Sequence, residues 1–226
     1  MFYIDQWYFI LIVPALIFAI AAQVRVKNTY AKYSNVRNTR ALSGADAARQ
    51  ILDANGLGDV SITRIAGNLT DNYNPKTKVV SLSDPVYSST SVAAVGIAAH
   101  EVGHAIQHNL GYMPIKIRNA ILPAANIGTY AAFPLVIIGL IFNYPPLIDV
   151  GILFFSIAVA FQIITLPVEL NASSRAVTTL SSTGILDWNE LKPVKSVLHA
   201  AALTYVAAAA MALAQLLRLI LLRNRR

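Results

Sequence analysis

Hydrophobic positions along this chain follow two different patterns. Four stretches, at residues 7–24, 117–142, 147–168 and 197–222, are almost free of charge. Each is close to the run of about 20 apolar residues that a helix needs to cross about 30 Å of hydrocarbon. The first opens on Trp7, Tyr8 and Phe9, residue types suited to a membrane interface, and reaches Arg25 and Lys27 without an internal charge. A signal peptide would carry its basic residues ahead of a shorter apolar run, so a retained anchor is expected. The second and third stretches are separated by Asn143-Tyr144-Pro145-Pro146, where proline lacks the amide donor that a helix needs, and they read as a membrane hairpin. The fourth is rich in Ala and Leu but contains Gln215 and Arg218. Its pattern allows an incomplete crossing, with Arg218 snorkelling to the surface.

Between the first two stretches the pattern shortens to that of a small soluble domain. Residues 44–56 combine good helix formers, an acidic first turn at Asp46 and an Asn-Gly stop, and predict a helix. Residues 59–65 and 78–82 have strand composition, with turn residues Asn68, Asp71, Asn72, Asn74 and Pro75 between them, so a small sheet is expected. Ser88, Ser89 and Ser91 offer N-caps to a helix continuing to about Asn109, ended by Gly111 and Pro114. The fold class that follows is α+β, predominantly α: a multi-pass membrane protein with about four transmembrane helices and a small domain of helix, sheet and helix. The expected divisions are an anchor at 1–27, the soluble domain at 28–116, a transmembrane hairpin at 117–168, a membrane-surface region at 169–196, and a last helix with a basic tail at 197–226.

Composition agrees with this division. Of 226 residues, 56% are apolar and 13% charged, against roughly half and a quarter in soluble domains. The net charge of +7 raises the question of a nucleic-acid partner, but no basic stretch is interleaved with aromatics as a nucleic-acid groove requires. No nucleic acid is expected. The absence of Cys excludes disulfides, zinc ribbons and thiol nucleophiles, so any metal must be held by His and carboxylate.

The last soluble helix contains His100-Glu101-Val102-Gly103-His104. Two His four residues apart lie one turn apart on the same helical face, where both imidazoles can meet one zinc ion. Glu101, beside the first His, is placed to take a proton from a water attacking a peptide carbonyl and to pass it to the leaving amine. Surface histidines on an ordinary helix are the plainer alternative, disfavoured because buried unpaired His and Glu are costly among apolar neighbours.

A catalytic zinc site needs a third protein ligand and an open position. His108 lies about 12 Å along the helix from His100 at about 1.5 Å per residue, too far to share an ion, and reads as a flanking polar residue. The longer metzincin pattern would need Gly and His where Gln107 and Leu110 stand. Glu169 is the better candidate: it follows the third apolar stretch, and the hairpin returns it to the side of the His pair. A zinc-free reading pairs Glu169 with Arg175 or a basic flank instead. His199 could reach an oxyanion and Tyr205 could donate to a tetrahedral intermediate, but a polar cap and aromatic packing are the simpler roles. Residues 71–74 suit Asx turns, and Arg175 reads as a membrane-flank charge.

Several segments together are similar to one family: Gly44-Ala-Asp-Ala-Ala-Arg49 with Ile51-Leu-Asp-Ala-Asn-Gly56, Leu69-Thr-Asp-Asn-Tyr-Asn-Pro75, Leu82-Ser-Asp-Pro-Val-Tyr87, Ala98-Ala-His-Glu-Val-Gly-His-Ala-Ile-Gln-His108, Leu166-Pro-Val-Glu-Leu-Asn-Ala-Ser173 and Ala201-Ala-Leu-Thr-Tyr-Val-Ala207. The chain resembles the YugP-type neutral zinc metallopeptidases, integral-membrane proteins of bacteria, through nearly its whole length. The resemblance implies a gluzincin-like HExxH peptidase domain. Membrane gluzincins carry their third zinc ligand in a Glu-x-x-Ala-Asp segment, which residues 169–173 match at Glu169 and Ala172 but not at Ser173. Ser173 is a weaker partner than a carboxylate for orienting a ligand His.

If all four stretches span, fourteen Lys and Arg lie on the domain's side and four, Arg218, Arg223, Arg225 and Arg226, on the other. The positive-inside bias then expects a multi-pass cell-membrane protein with its catalytic side cytoplasmic, although the C-terminal arginines dissent. The function expected is a membrane-bound zinc metalloendopeptidase with one Zn2+ per chain, held by His100, His104 and Glu169, and Glu101 as general base. Its partners are the bilayer and a peptide or protein substrate, membrane-associated ones included, whose extended chain pairs with an edge near residues 78–82. Two other readings compete. One is a zinc-binding membrane scaffold without turnover; the other is a site-2-type intramembrane protease, disfavoured because the His helix is short and crowded with polar residues. Substrate identity and oligomeric state do not follow from the sequence.

Overall fold

The computed structural model describes residues 5–224, so Arg225 and Arg226 lie outside the described residues. It is mainly helical, with one small sheet. Residues Tyr8–Ile12 wind as a π-helix that continues into α1 (Val13–Tyr33). The soluble segment forms α2 (Gly44–Ala54), β1 (Ser61–Ile65), β2 (Asn72–Asn74), β3 (Val79–Ser83), the one-turn α3 (Asp84–Tyr87) and α4 (Val92–Asn109). Three long helices follow: α5 (Met113–Ile141), α6 (Pro145–Ser182) and α7 (Trp188–Arg223). Among the described residues, four helices are long and apolar enough to cross a membrane: the first, α5, α6 and α7. The helix α4 is not one of them.

The chain folds into two compact units. One comprises residues 24–112 and 168–202, and therefore holds the small domain with the polar parts of α6 and α7. Local chemistry sets its elements. Ser43 caps α2 in a reciprocal box with Asp46, and Ser91 caps α4 by accepting from the Ala94 N–H, satisfying donors that a helix start leaves open. In the sheet, β3 is central, parallel to β1 and antiparallel to β2, with Tyr73 opposite Val80. The expected edge near residues 78–82 is thus not an edge, because β1 and β2 occupy both sides of β3. The strand β2 falls among residues that read in the sequence as turn formers. The core gathers Ile51, Leu52, Val80, Leu82, Val95, Val102 and Leu180, burying α4 against α2 and the sheet. Glu190 fastens the loop after α1 by accepting from the Thr39 N–H at 2.7 Å.

The other unit comprises residues 1–23, 113–167 and 203–226, with described residues from Asp5 to Asn224. Its apolar cluster includes Val136, Ile148, Phe155, Val159 and Leu219. Asn143, at φ 48°, makes the turn between α5 and α6 before Pro145 starts the next helix. Arg218 does not extend to solvent as a snorkelling residue would. Its Nη2 donates to Asp5 at 2.7 Å, and the Arg218 side chain is largely buried, so the pair neutralises both charges in place. Arg223 pairs likewise with Asp149, at the start of α6.

Candidate metal centre

Within the first unit, α4 and the polar half of α6 bring three potential metal ligands together. His100 and His104 project from consecutive turns of α4 with their ring centroids 4.8 Å apart. Glu169 comes from α6, and its Oε2 lies 3.3 Å from His100 Nε2 and 3.5 Å from His104 Nε2. Ligand atoms around a tetrahedral zinc with bonds of about 2.0–2.1 Å are spaced by about 3.3–3.4 Å, so these separations suit one ion. Glu169 Oε2 is also buried and accepts no hydrogen bond, an arrangement that is costly unless a cation is shared there. The residues therefore fit a zinc ion. Glu169 does not pair with Arg175, which engages Asn171 and stacks over Tyr112 instead.

The imidazoles are held from behind. The Gln107 amide donates from Nε2 to the Val168 carbonyl at 2.8 Å and to Asn171 Oδ1 at 3.0 Å, which turns its Oε1 toward His104 Nδ1, 3.0 Å away. Arg175 Nε donates to the same Asn171 oxygen at 2.7 Å, fixing that amide as an acceptor. Facing an acceptor, His104 Nδ1 carries the proton, and Nε2 is left with its lone pair toward Glu169. Ser173 Oγ lies 3.1 Å from His100 Nδ1. A hydroxyl can donate or accept, so Ser173 holds the His100 ring in place without dictating its tautomer, which is the difference from a carboxylate at that position. Sequence reasoning does not single out Gln107, Asn171 or the role of Arg175. Their signal is a polar residue one turn after His104 on a buried face, matched by polar positions one turn apart on α6.

Electrostatics favour a cation at the centre. Burial works against a charged His104, yet the Glu169 and Glu101 carboxylates outweigh it and lift its pKa above the usual imidazole value. Glu101 is 8% exposed. Burial raises its pKa, His100 and His104 partly offset the rise, and Asp71 and Glu169 add to it. Asp71, half-buried beside β3, accepts from the Ser83 N–H at 2.8 Å and is itself pushed up by desolvation.

The remaining candidates lie apart from the ligand set. His108 is exposed, its ring 6.2 Å from that of Tyr73. His199 lines a cavity that Ser173 also borders, and Tyr205 belongs to the other unit.

Comparison with known proteins gives the same direction. The sequence profile of a family described as "Putative neutral zinc metallopeptidase" matches residues 8–224. The chain is 46% identical over 212 residues, 94% of each chain, to a Bacillus subtilis (strain 168) protein named "Putative membrane protease YugP". No solved structure matches. With a matched region that includes the His100, His104 and Glu169 cluster as well as all four long apolar helices, the chain belongs to this zinc metallopeptidase family.

Proposed function

We propose that the chain is a membrane-bound zinc endopeptidase in which His100, His104 and Glu169 hold one zinc ion and Glu101 is the general base. The observation that carries this reading is the buried Glu169 Oε2, facing two imidazole nitrogens with no hydrogen bond of its own. When bound, zinc supplies Lewis acidity for a carbonyl oxygen and lowers the pKa of water to about 7. Glu101 takes the proton from the attacking water as its oxygen bonds to the peptide carbon. The same carboxyl then gives that proton to the amine nitrogen as the C–N bond breaks. Its burial supports this exchange by raising the carboxyl pKa above the usual carboxylate value, which favours the proton-carrying form. Gln107, through Asn171 and Arg175, keeps His104 in the tautomer that ligation needs.

The outer strand β2 packs against α4 and is the edge that an extended substrate would use for backbone pairing. The packing of α4 within a soluble core favours a peptidase at the membrane surface over an intramembrane one. The Lys and Arg distribution favours a multi-pass cell-membrane protein with this domain in the cytoplasm.

Metal analysis and casein hydrolysis by the purified full chain test the proposal. About one zinc per chain is expected, with hydrolysis lost to a chelator and restored by zinc. Hydrolysis that survives zinc removal would overturn the mechanism; stoichiometric zinc without hydrolysis would make the chain a scaffold.

A further inference from the structure

A polar cavity of about 700 Å3, whose wall includes Ser173 behind His100, opens between α1, α6 and α7 within the same unit. Its walls carry Arg25 from α1 and Lys192, Lys195 and His199 from one face of α7, and no Asp or Glu lines it. Among the described residues, neither Arg25 nor Lys192 has a carboxylate partner, and the ammonium of Lys195 lies over the ring of Trp188, 5.4 Å from its centre. Ser174 and Thr178 add hydroxyls to the lining, while Ser196 donates its own to the Lys192 carbonyl at 3.0 Å. Three exposed positive charges and two hydroxyls around one hollow without a counter-charge create a positive potential suited to an anion.

The position along the chain narrows the anion. Arg25 directly follows the apolar stretch at residues 7–24, and His199 precedes the apolar body of α7. Leu170, Val177 and Ala202 give the same hollow an apolar wall. A ligand with a negative head and a hydrocarbon body meets both demands, whereas a peptide carboxylate needs only the charge. We infer that this cavity binds the phosphate headgroup of an anionic phospholipid. Each cation at a membrane surface contributes about 1 kcal/mol toward an acidic lipid, so removing two of the charges should weaken binding about tenfold or more.

The test uses the full-length chain in neutral detergent, with bound lipid measured by native mass spectrometry. Phosphatidylglycerol, phosphatidylcholine and inorganic phosphate are titrated separately, and the wild type is compared with Lys192→Gln/Lys195→Gln and Lys192→Arg/Lys195→Arg. Phosphatidylglycerol should be retained at about one per chain in preference to phosphatidylcholine. The Gln pair should lose this retention about tenfold, the Arg pair should keep it, and both should hold the wild-type zinc content, which reports an intact fold. Equal retention of the two lipids, or unchanged retention in the Gln pair, would overturn the inference. Inorganic phosphate that displaces the lipid at equal concentration would also overturn it, identifying a receptor for the free ion.

Discussion

Gly103 lies against the backbone of Ala172, so closely that a Cβ on Gly103 would stand 2.6 Å from the Ala172 carbonyl oxygen. The contact sets the spacing of α4 and α6 one residue from His104 and three from Glu169. Any side chain at position 103 must push the two ligand-bearing helices apart, because the obstacle is backbone and cannot rotate away. Gly103→Ala should therefore cost about 1–3 kcal/mol of stability, as overpacking does, and should lower zinc retention. Thermal melting and metal analysis after dialysis check this, and a variant with wild-type zinc content would show that the spacing is not critical.

Removing the carboxylate addresses the ligand set directly. Glu169→Ala should leave the two imidazoles with too few ligands, so the purified variant should carry well under one zinc per chain. Chelation of the wild-type protein should lower its melting temperature, because every tenfold of zinc excess over Kd adds about 1.4 kcal/mol of stability. The same chelator should leave the melting temperature of Glu169→Ala almost unchanged.

Binding and chemistry separate at Glu101. Glu101→Gln retains the side-chain shape and lies outside the proposed ligand set, so zinc should stay at one per chain while hydrolysis falls by roughly 10²–10⁴-fold. Normal turnover by this variant would remove Glu101 from the role of base.

The chain of hydrogen bonds behind His104 makes a subtler prediction. Gln107→Leu removes the acceptor that fixes the Nδ1 proton and should reduce zinc affinity by roughly 10–100-fold, the usual scale for a residue that orients a ligand. Arg175→Met should produce a smaller loss, since it acts through Asn171 and Gln107. Competition with a fluorescent zinc chelator measures both, and equal affinities for Gln107→Leu and the wild type would rule out the positioning role.

Orientation can be measured with one thiol, because the chain contains no Cys. Asn74→Cys, exposed at the end of β2, should resist an impermeant thiol reagent in intact cells and react after permeabilisation. Labelling of intact cells would place the domain outside.

The candidate metal centre is legible in sequence where its chemistry is local. The spacing of His100 and His104 is itself the geometry of one helical face, and Glu169 stands out as a carboxylate closing an apolar stretch. What escapes depends on partners far along the chain. Gln107 meets Asn171 across 64 positions, and nothing in its immediate neighbours distinguishes a ligand-orienting amide from a solvated one. Residues Asn72–Asn74 are too short a run, set among turn formers, to read as a strand and become one by pairing with β3. For the same reason the sequence of β3 reads as an edge: strand order is a property of the sheet. The long helices also outrun their apolar portions, because the C-terminal part of α6 and the first turns of α7 are more polar and pack Leu180, Leu191 and Val194 into the core of the first unit.

The location of Glu169 on α6 has a consequence for biosynthesis. His104 leaves the ribosome 65 residues (169 − 104) before Glu169, and at about 5–20 residues per second that interval lasts roughly 3–13 s. During it the nascent chain carries Glu101 and the two imidazoles without Glu169, which is translated only after both arms of the hairpin. On the proposed ligand set, the centre can be completed only once both arms of the hairpin have been made.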